Sequence, residues 1–114
     1  MEKISTKRIA QNVILTLKVE KLDSLVAPEL KATIIHLLSE AVKNIVLDIS
    51  VVKFCDSSGL GAILLGTRNC QVVGGKFIIC GLSDSVRHLI SISKLDSTVH
   101  IENSVQDSLE KFFL

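Results

Sequence analysis

Residues 44–80 read NIVLDISVVKFCDSSGLGAILLGTRNCQVVGGKFIIC. The first seven, Asn44 to Ser50, form a short apolar run suited to a buried strand, and Lys76 to Cys80 form another. Between them, over Val51 to Gly75, Leu60, Ile63, Leu64, Thr67 and Cys70 recur at helical spacing. Gly74 and Gly75 follow, residues that tolerate the positive φ with which many helices end. Strand, helix and strand in that order predict a parallel crossover unit, because two parallel neighbours need a long connection between them.

On the N-terminal side, Ile4 to Glu20 alternates in places and is rich in Ile, Val, Leu and Thr. Gln11 and Asn12 fall in the middle, where a turn belongs, so the segment predicts a β-hairpin. Residues 21–44, KLDSLVAPELKATIIHLLSEAVKN, place Leu30, Ile34, Leu37, Leu38 and Ala41 on one helical face. Ser24 is the candidate N-cap and Pro28 lies in the opening turn. On the C-terminal side, Ser85 to Ile92 predicts a short helix and Thr98 to Glu102 a strand. A last helix runs from about Ser104 to the C-terminus, with Ser104 and Asp107 as its cap pair. The order ββαβαβαβα predicts one α/β domain over residues 1–114, a mixed sheet with an N-terminal hairpin and helices packed against it.

Composition narrows the function. The chain has 114 residues, 47% of them hydrophobic, which suits one domain with one core. Thirteen Lys and Arg against twelve Asp and Glu leave a net charge of +1, and the basic residues are scattered. That pattern does not support a nucleic-acid or anionic-membrane partner. The first twenty residues carry charge on both sides of a short apolar stretch, unlike a secretion signal. No apolar run approaches the roughly 18 residues that cross a bilayer, so direct membrane insertion is not expected and a cytoplasmic protein is. Cys55, Cys70 and Cys80 are odd in number and form no CxxC, which predicts buried, reduced thiols. His36, His88 and His100 fall on different predicted elements, so neither a metal nor another cofactor is implied.

The chemistry concentrates in Lys53-Phe54-Cys55-Asp56-Ser57-Ser58-Gly59-Leu60-Gly61, which follows a buried strand and opens a helix. Loops at the carboxyl ends of parallel strands are where α/β proteins commonly place function. Two hydroxyls and a carboxylate stand here beside backbone N–H groups that have no intrahelical acceptor, a setting that accommodates negative charge. The plain reading is that Asp56, Ser57 or Ser58 caps the helix. The functional reading is that one hydroxyl accepts a phosphoryl group, adding about −1.5 to −2 charges and three acceptor oxygens. One residue can do both.

Residues 46–95, VLDISVVKFCDSSGLGAILLGTRNCQVVGGKFIICGLSDSVRHLISISKL, resemble the STAS domain of anti-sigma-factor antagonists. They contain that family's D-S-[ST]-G-L-G phosphorylation motif and its glycine pair before the next strand, and the similarity extends more weakly over nearly the whole chain. In the family the phosphorylated hydroxyl directly follows the Asp, so the resemblance implies Ser57 as phosphoacceptor, with Ser58 the alternative. Two positions depart from the pattern. The family often has a Gly shortly before a Leu-Asp pair, where this chain has Val19-Glu20-Lys21-Leu22-Asp23, and Cys55 stands where Met is frequent. The resemblance implies a non-enzymatic switch: the unphosphorylated form binds an anti-sigma factor with serine/threonine kinase activity and releases the sigma factor. Phosphorylation abolishes that complex, and a phosphoserine phosphatase resets it.

The partner surface expected around Ser57 comprises Asp23, Asp56, Ser57, Ser58, Gly59, Gly61 and Leu65. On a helical wheel Ala62, Leu65 and Asn69 lie opposite the Leu60, Ile63, Leu64, Thr67 stripe. Leu65 is then either an exposed anchor for a partner or covered by another helix. Related domains also accompany membrane permeases, so an accessory subunit of a transporter is the second binding reading. A receiver-type phospho-aspartate domain would use Asp48 or Asp56 but needs an acidic cluster and a strand-end Lys that are not evident. Ser57 lies outside any G-x-S-x-G, and no G-x-x-x-x-G-K-[ST] occurs, which disfavours a serine hydrolase and a nucleotide-binding loop.

Overall fold

The computed structural model of the chain describes residues 2–113, so Met1 and Leu114 of the expected 1–114 domain lie outside the described residues. Strands β1 (Ile4–Ile9) and β2 (Asn12–Leu17) form the expected hairpin. Their turn is Ala10-Gln11, with Ala10 at φ 55°, and Asn12 already belongs to the second strand. A two-residue strand β3 (Lys21–Leu22) leads into α1 (Ala27–Ser39). Then come β4 (Asn44–Asp48), another two-residue strand β5 (Phe54–Cys55), α2 (Ser57–Val72) and β6 (Phe77–Cys80). Helix α3 (Asp84–Ile92), β7 (His100–Glu102) and α4 (Val105–Glu110) follow, with a 3-10 turn at Lys111–Phe113.

The main sheet has the order β1-β2-β4-β6-β7, antiparallel between β1 and β2 and parallel elsewhere, so the sheet is mixed as expected. β4 and β6 occupy its centre. Side chains alternate across a strand, and the central strands use both faces. Ile45, Leu47, Phe77 and Ile79 join the main core with Leu30 and Ile34 of α1 and Ile63 of α2. Val46 and Ile78, also fully buried, point to the opposite face, over which α4 packs against β4 and β6. The half-buried β2 shows the corresponding alternation, with Val13, Leu15 and Leu17 inward.

Local chemistry explains most boundaries. Ser104 Oγ accepts the Asp107 amide at 3.0 Å and caps α4 as expected. Ser83 does the same for α3, accepting from Val86. α2 ends where Gly74 takes φ 79°. Ser24, however, is not the cap of α1. Val26 occupies that position without a side-chain bond, and the Asp23 carbonyl receives the amides of Val26 and Ala27 instead. Ala41 falls past the end of α1 at φ 68°, off the helical face on which it was counted. The expected strand at Thr98 begins only at His100, because the amides of Thr98 and Val99 turn back to the Leu95 carbonyl.

Two strands escaped the sequence reading. β3 and β5 form a separate parallel sheet, pairing Lys21 with Phe54 and Leu22 with Cys55. The Glu20 carbonyl receives the amides of Lys53 and Phe54 at 2.7 and 3.1 Å, and the Leu22 carbonyl receives that of Asp56 at 3.3 Å. This small ladder ties the segment before α1 to the segment before α2. It thereby sets where the candidate site stands.

Candidate functional site

The site is the start of α2. Asp56 is in extended conformation and its Oδ1 accepts the Gly59 amide at 3.0 Å, while its carbonyl accepts the Leu60 amide at 3.0 Å. Of the three cap candidates, the carboxylate therefore performs the capping. Ser57 follows as the first helical residue and is exposed; Ser58 is half-buried. The amides of Ser57 and Ser58 precede the first intrahelical hydrogen bond, so they face outward with no helical acceptor. The Ser57 hydroxyl thus stands in solvent at the positive end of a 16-residue helix.

The β3–β5 ladder presses against this turn. A Cβ on Gly59 would lie 2.4 Å from the Leu22 carbonyl oxygen and 2.7 Å from Cys55 Sγ, closer than any real side chain stands. Gly59 is there because the backbone of β3 occupies the space. At Gly61 the same test meets only Lys31 Nζ, at 3.8 Å, an ordinary contact. The two glycines of the motif therefore differ in kind.

Cys55 lies buried beneath the turn and its thiol reaches the Asp56 carbonyl at 3.4 Å. Burial, aided by the Asp56 carboxylate, pushes its pKa up to about 11. Burial likewise raises Cys70 to about 12 and Cys80 to about 11. All three are free, buried and held as neutral thiols, as the sequence suggested, and none is poised as a nucleophile.

Asp23 reaches the neighbourhood through β3: its Oδ1 accepts the Leu25 amide at 3.0 Å, fixing the loop into α1. Asp23, Asp56, Ser57, Ser58 and Gly59 are therefore brought together by the paired strands. Leu65 is not part of that group as an exposed anchor. α1 packs along α2, Ala62 is fully buried, and Leu65 is half-buried against the core. Both faces of α2 are occupied, one by the sheet and one by α1. Gly66 marks how closely the sheet approaches, since a Cβ there would strike the Phe77 ring.

Three exposed apolar residues that the sequence reading did not count as partner contacts lie on the segments leading into the site. Leu25 is 80% exposed, Phe54 48% and Val51 45%. Leu25 follows β3, Phe54 lies in β5 and Val51 in the loop before it, and the Glu20–Lys53 ion pair of 3.3 Å lies beside them. The sequence did not set them apart, since Leu25 stands beside Val26, Val51 beside Val52 and Phe54 beside Cys55, all three of these neighbours being buried. Among the described residues, no helix is long and apolar enough to cross a membrane.

The chain is similar to proteins of one family. A family model described as the STAS domain matches residues 3–108. A protein of Thermotoga neapolitana, placed by its name among the anti-sigma factor antagonists, is 31% identical over 74 residues, which are 65% of this chain and 66% of that protein. The crystal structure of a protein from Thermotoga maritima, placed by name in the same group, matches with a TM-score of 0.87 at 25% identity, covering 97% of this chain and 95% of that one. The anti-sigma factor antagonist SpoIIAA in its unphosphorylated form matches in fold, with a TM-score of 0.81 at 23% identity over 95% of this chain and 94% of its own.

Proposed function

The chain belongs to the STAS domain family, and from that membership we propose that it is a cytoplasmic anti-sigma-factor antagonist switched by phosphorylation of Ser57. In this reading it acts by binding and not by catalysis. The unphosphorylated form docks on an anti-sigma factor that is also a serine/threonine kinase, which frees the sigma factor. Phosphorylation of Ser57 ends the complex, and a phosphoserine phosphatase restores it.

One observation carries the proposal: Asp56 caps α2, so the Ser57 hydroxyl is exposed beside the cap with no structural duty assigned to it. A phosphoryl group can be added there without removing a helix cap. The apolar residues Leu25, Val51 and Phe54 on the segments leading into the site are the kind of side chains a partner buries. The complex then excludes water from Ser57. A group carrying about −1.5 to −2 charges loses its hydration on docking and stands beside the Asp56 carboxylate, and both effects oppose association. Asp23, Ser58 and the half-buried Gly61 complete the contact surface in this reading, while the buried Gly59 lets β3 pack beneath it and Leu65 packs on the core.

Equilibrium titration of three purified forms against the cognate kinase tests the proposal. Wild type and Ser57→Ala should bind alike, and Ser57→Asp at least about tenfold more weakly, a difference of about 1.4 kcal/mol. Incubation with kinase and ATP should place one acid-stable phosphate on Ser57 and none on Ser57→Ala. Equal affinity of folded Ala and Asp forms would overturn the charge switch, and mapping of the phosphate to Ser58 would move the acceptor.

A further inference from the structure

We propose that Lys31 of α1 is the internal counter-ion of phosphorylated Ser57, so that the modified helix end carries its own cation. The inference rests on the reading of Ser57 as phosphoacceptor and adds a residue that the motif does not contain. Its basis is the arrangement over Gly61. The space into which a Gly61 side chain would project contains one neighbouring atom within 4 Å, the Lys31 ammonium at 3.8 Å. Gly61 follows Ser57 by four residues in α2, and residues at that spacing stand one above the other, about 5–6 Å apart between Cβ positions. The ammonium therefore lies along the helix face on which the Ser57 side chain opens, one turn further on.

The chemistry favours contact. Side chains of a helix lean toward its N-terminus, so the lane over Gly61 leads back to the first turn. A phosphate on Ser57 extends its oxygens beyond the serine hydroxyl, and lysine brings a flexible stem with three donors. The absence of a side chain at Gly61 leaves the lane open between them. The acids in the neighbourhood are Asp56, whose Oδ1 is engaged by the Gly59 amide, and Asp23, whose Oδ1 is engaged by the Leu25 amide. Of the cations on the β3–β5 side, Lys53 is drawn to Glu20 at 3.3 Å and Lys21 is exposed on β3, opposite Phe54. Lys31 is thus the cation the fold places over the motif itself, and its charge offsets the repulsion that Asp56 exerts on the phosphate.

The test installs phosphoserine at position 57 during translation, so it needs neither kinase nor partner. The second ionisation of the phosphate is followed by phosphorus NMR in the otherwise native chain, in Lys31→Gln and in Lys31→Arg. Lys31 is half-buried on the α1 surface, so both variants should fold, which circular dichroism verifies. An adjacent cation favours the dianion, so the titration should move up by about half a unit or more in Lys31→Gln and return toward the native position in Lys31→Arg. A titration that is the same with Gln as with Lys at position 31 overturns the pairing. Failure of the phosphoacceptor reading would show differently, as absence of phosphate on Ser57 after incubation with kinase and ATP.

Discussion

The first two turns of α2 face two neighbours, and they meet them under opposite constraints. Toward β3 and β5 the contact is tight: Gly59 lies where any side chain would strike the Leu22 backbone, and Asp56 is fixed by its own amide and by its cap. Toward α1 there is slack, and over Gly61 the nearest foreign atom is the end of a flexible lysine. Two glycines two residues apart in one motif thus have unrelated reasons for being glycine. The difference shows how a helix end can be rigid in position and still leave one hydroxyl exposed. The paired strands and the carboxylate hold the turn, and the cap is not Ser57.

The largest expected effect probes the tight side. Gly59→Ala should lower the unfolding free energy by about 2–3 kcal/mol, since a backbone carbonyl cannot rotate away as a side chain can. Urea unfolding measures it, and a loss below 1 kcal/mol would show that β3 yields. Next in size is the contrast between the cap and its neighbour. Asp56→Ala should cost about 1 kcal/mol for the lost cap, while Ser57→Ala should stay within about 0.5 kcal/mol. If Ser57→Ala were the more damaging, the hydroxyl would have a structural duty after all. The last effect has the opposite sign: Gly61→Ala should raise stability by about 0.5–1 kcal/mol, because alanine restricts the unfolded chain and the lane over Gly61 has room for a methyl. A destabilised Gly61→Ala would make the two sides of the turn alike.

Much of this was legible in the sequence wherever a pattern repeats often enough to be counted. The apolar runs at 45–47 and 77–80 mark the sheet centre, and the stripe from Leu60 to Cys70 marks α2. β3 and β5 were not legible, because two residues make no period and their pairing depends on where two distant loops meet. Ser24 was chosen as a cap on residue type, whereas the chain used the Asp23 carbonyl, a group every residue possesses. Leu65 shows a third limit. A helix covered on both sides has apolar residues all round, and Ala62 and Leu65 recorded that, but a wheel cannot say whether the second face meets another helix or a partner. The proposal of Ser57 as phosphoacceptor came from resemblance to a motif; the exposure of Ser57 beside an occupied cap came from the fold.

The β3–β5 ladder has a kinetic consequence. It shares no strand with the five-stranded sheet, and its pairing spans two residues on each side. Leu22 and Cys55 anchor it in the core, but its backbone is held by few hydrogen bonds, and such segments open locally at a free energy below that of global unfolding. The amides of Lys53, Phe54 and Asp56 should therefore exchange with solvent hydrogen sooner than those of β4 and β6, while the rest of the molecule stays folded. Ser57, already exposed at the head of α2, needs no such opening; what the excursion loosens is the footing of the Asp56 cap, whose amide is held by the Leu22 carbonyl.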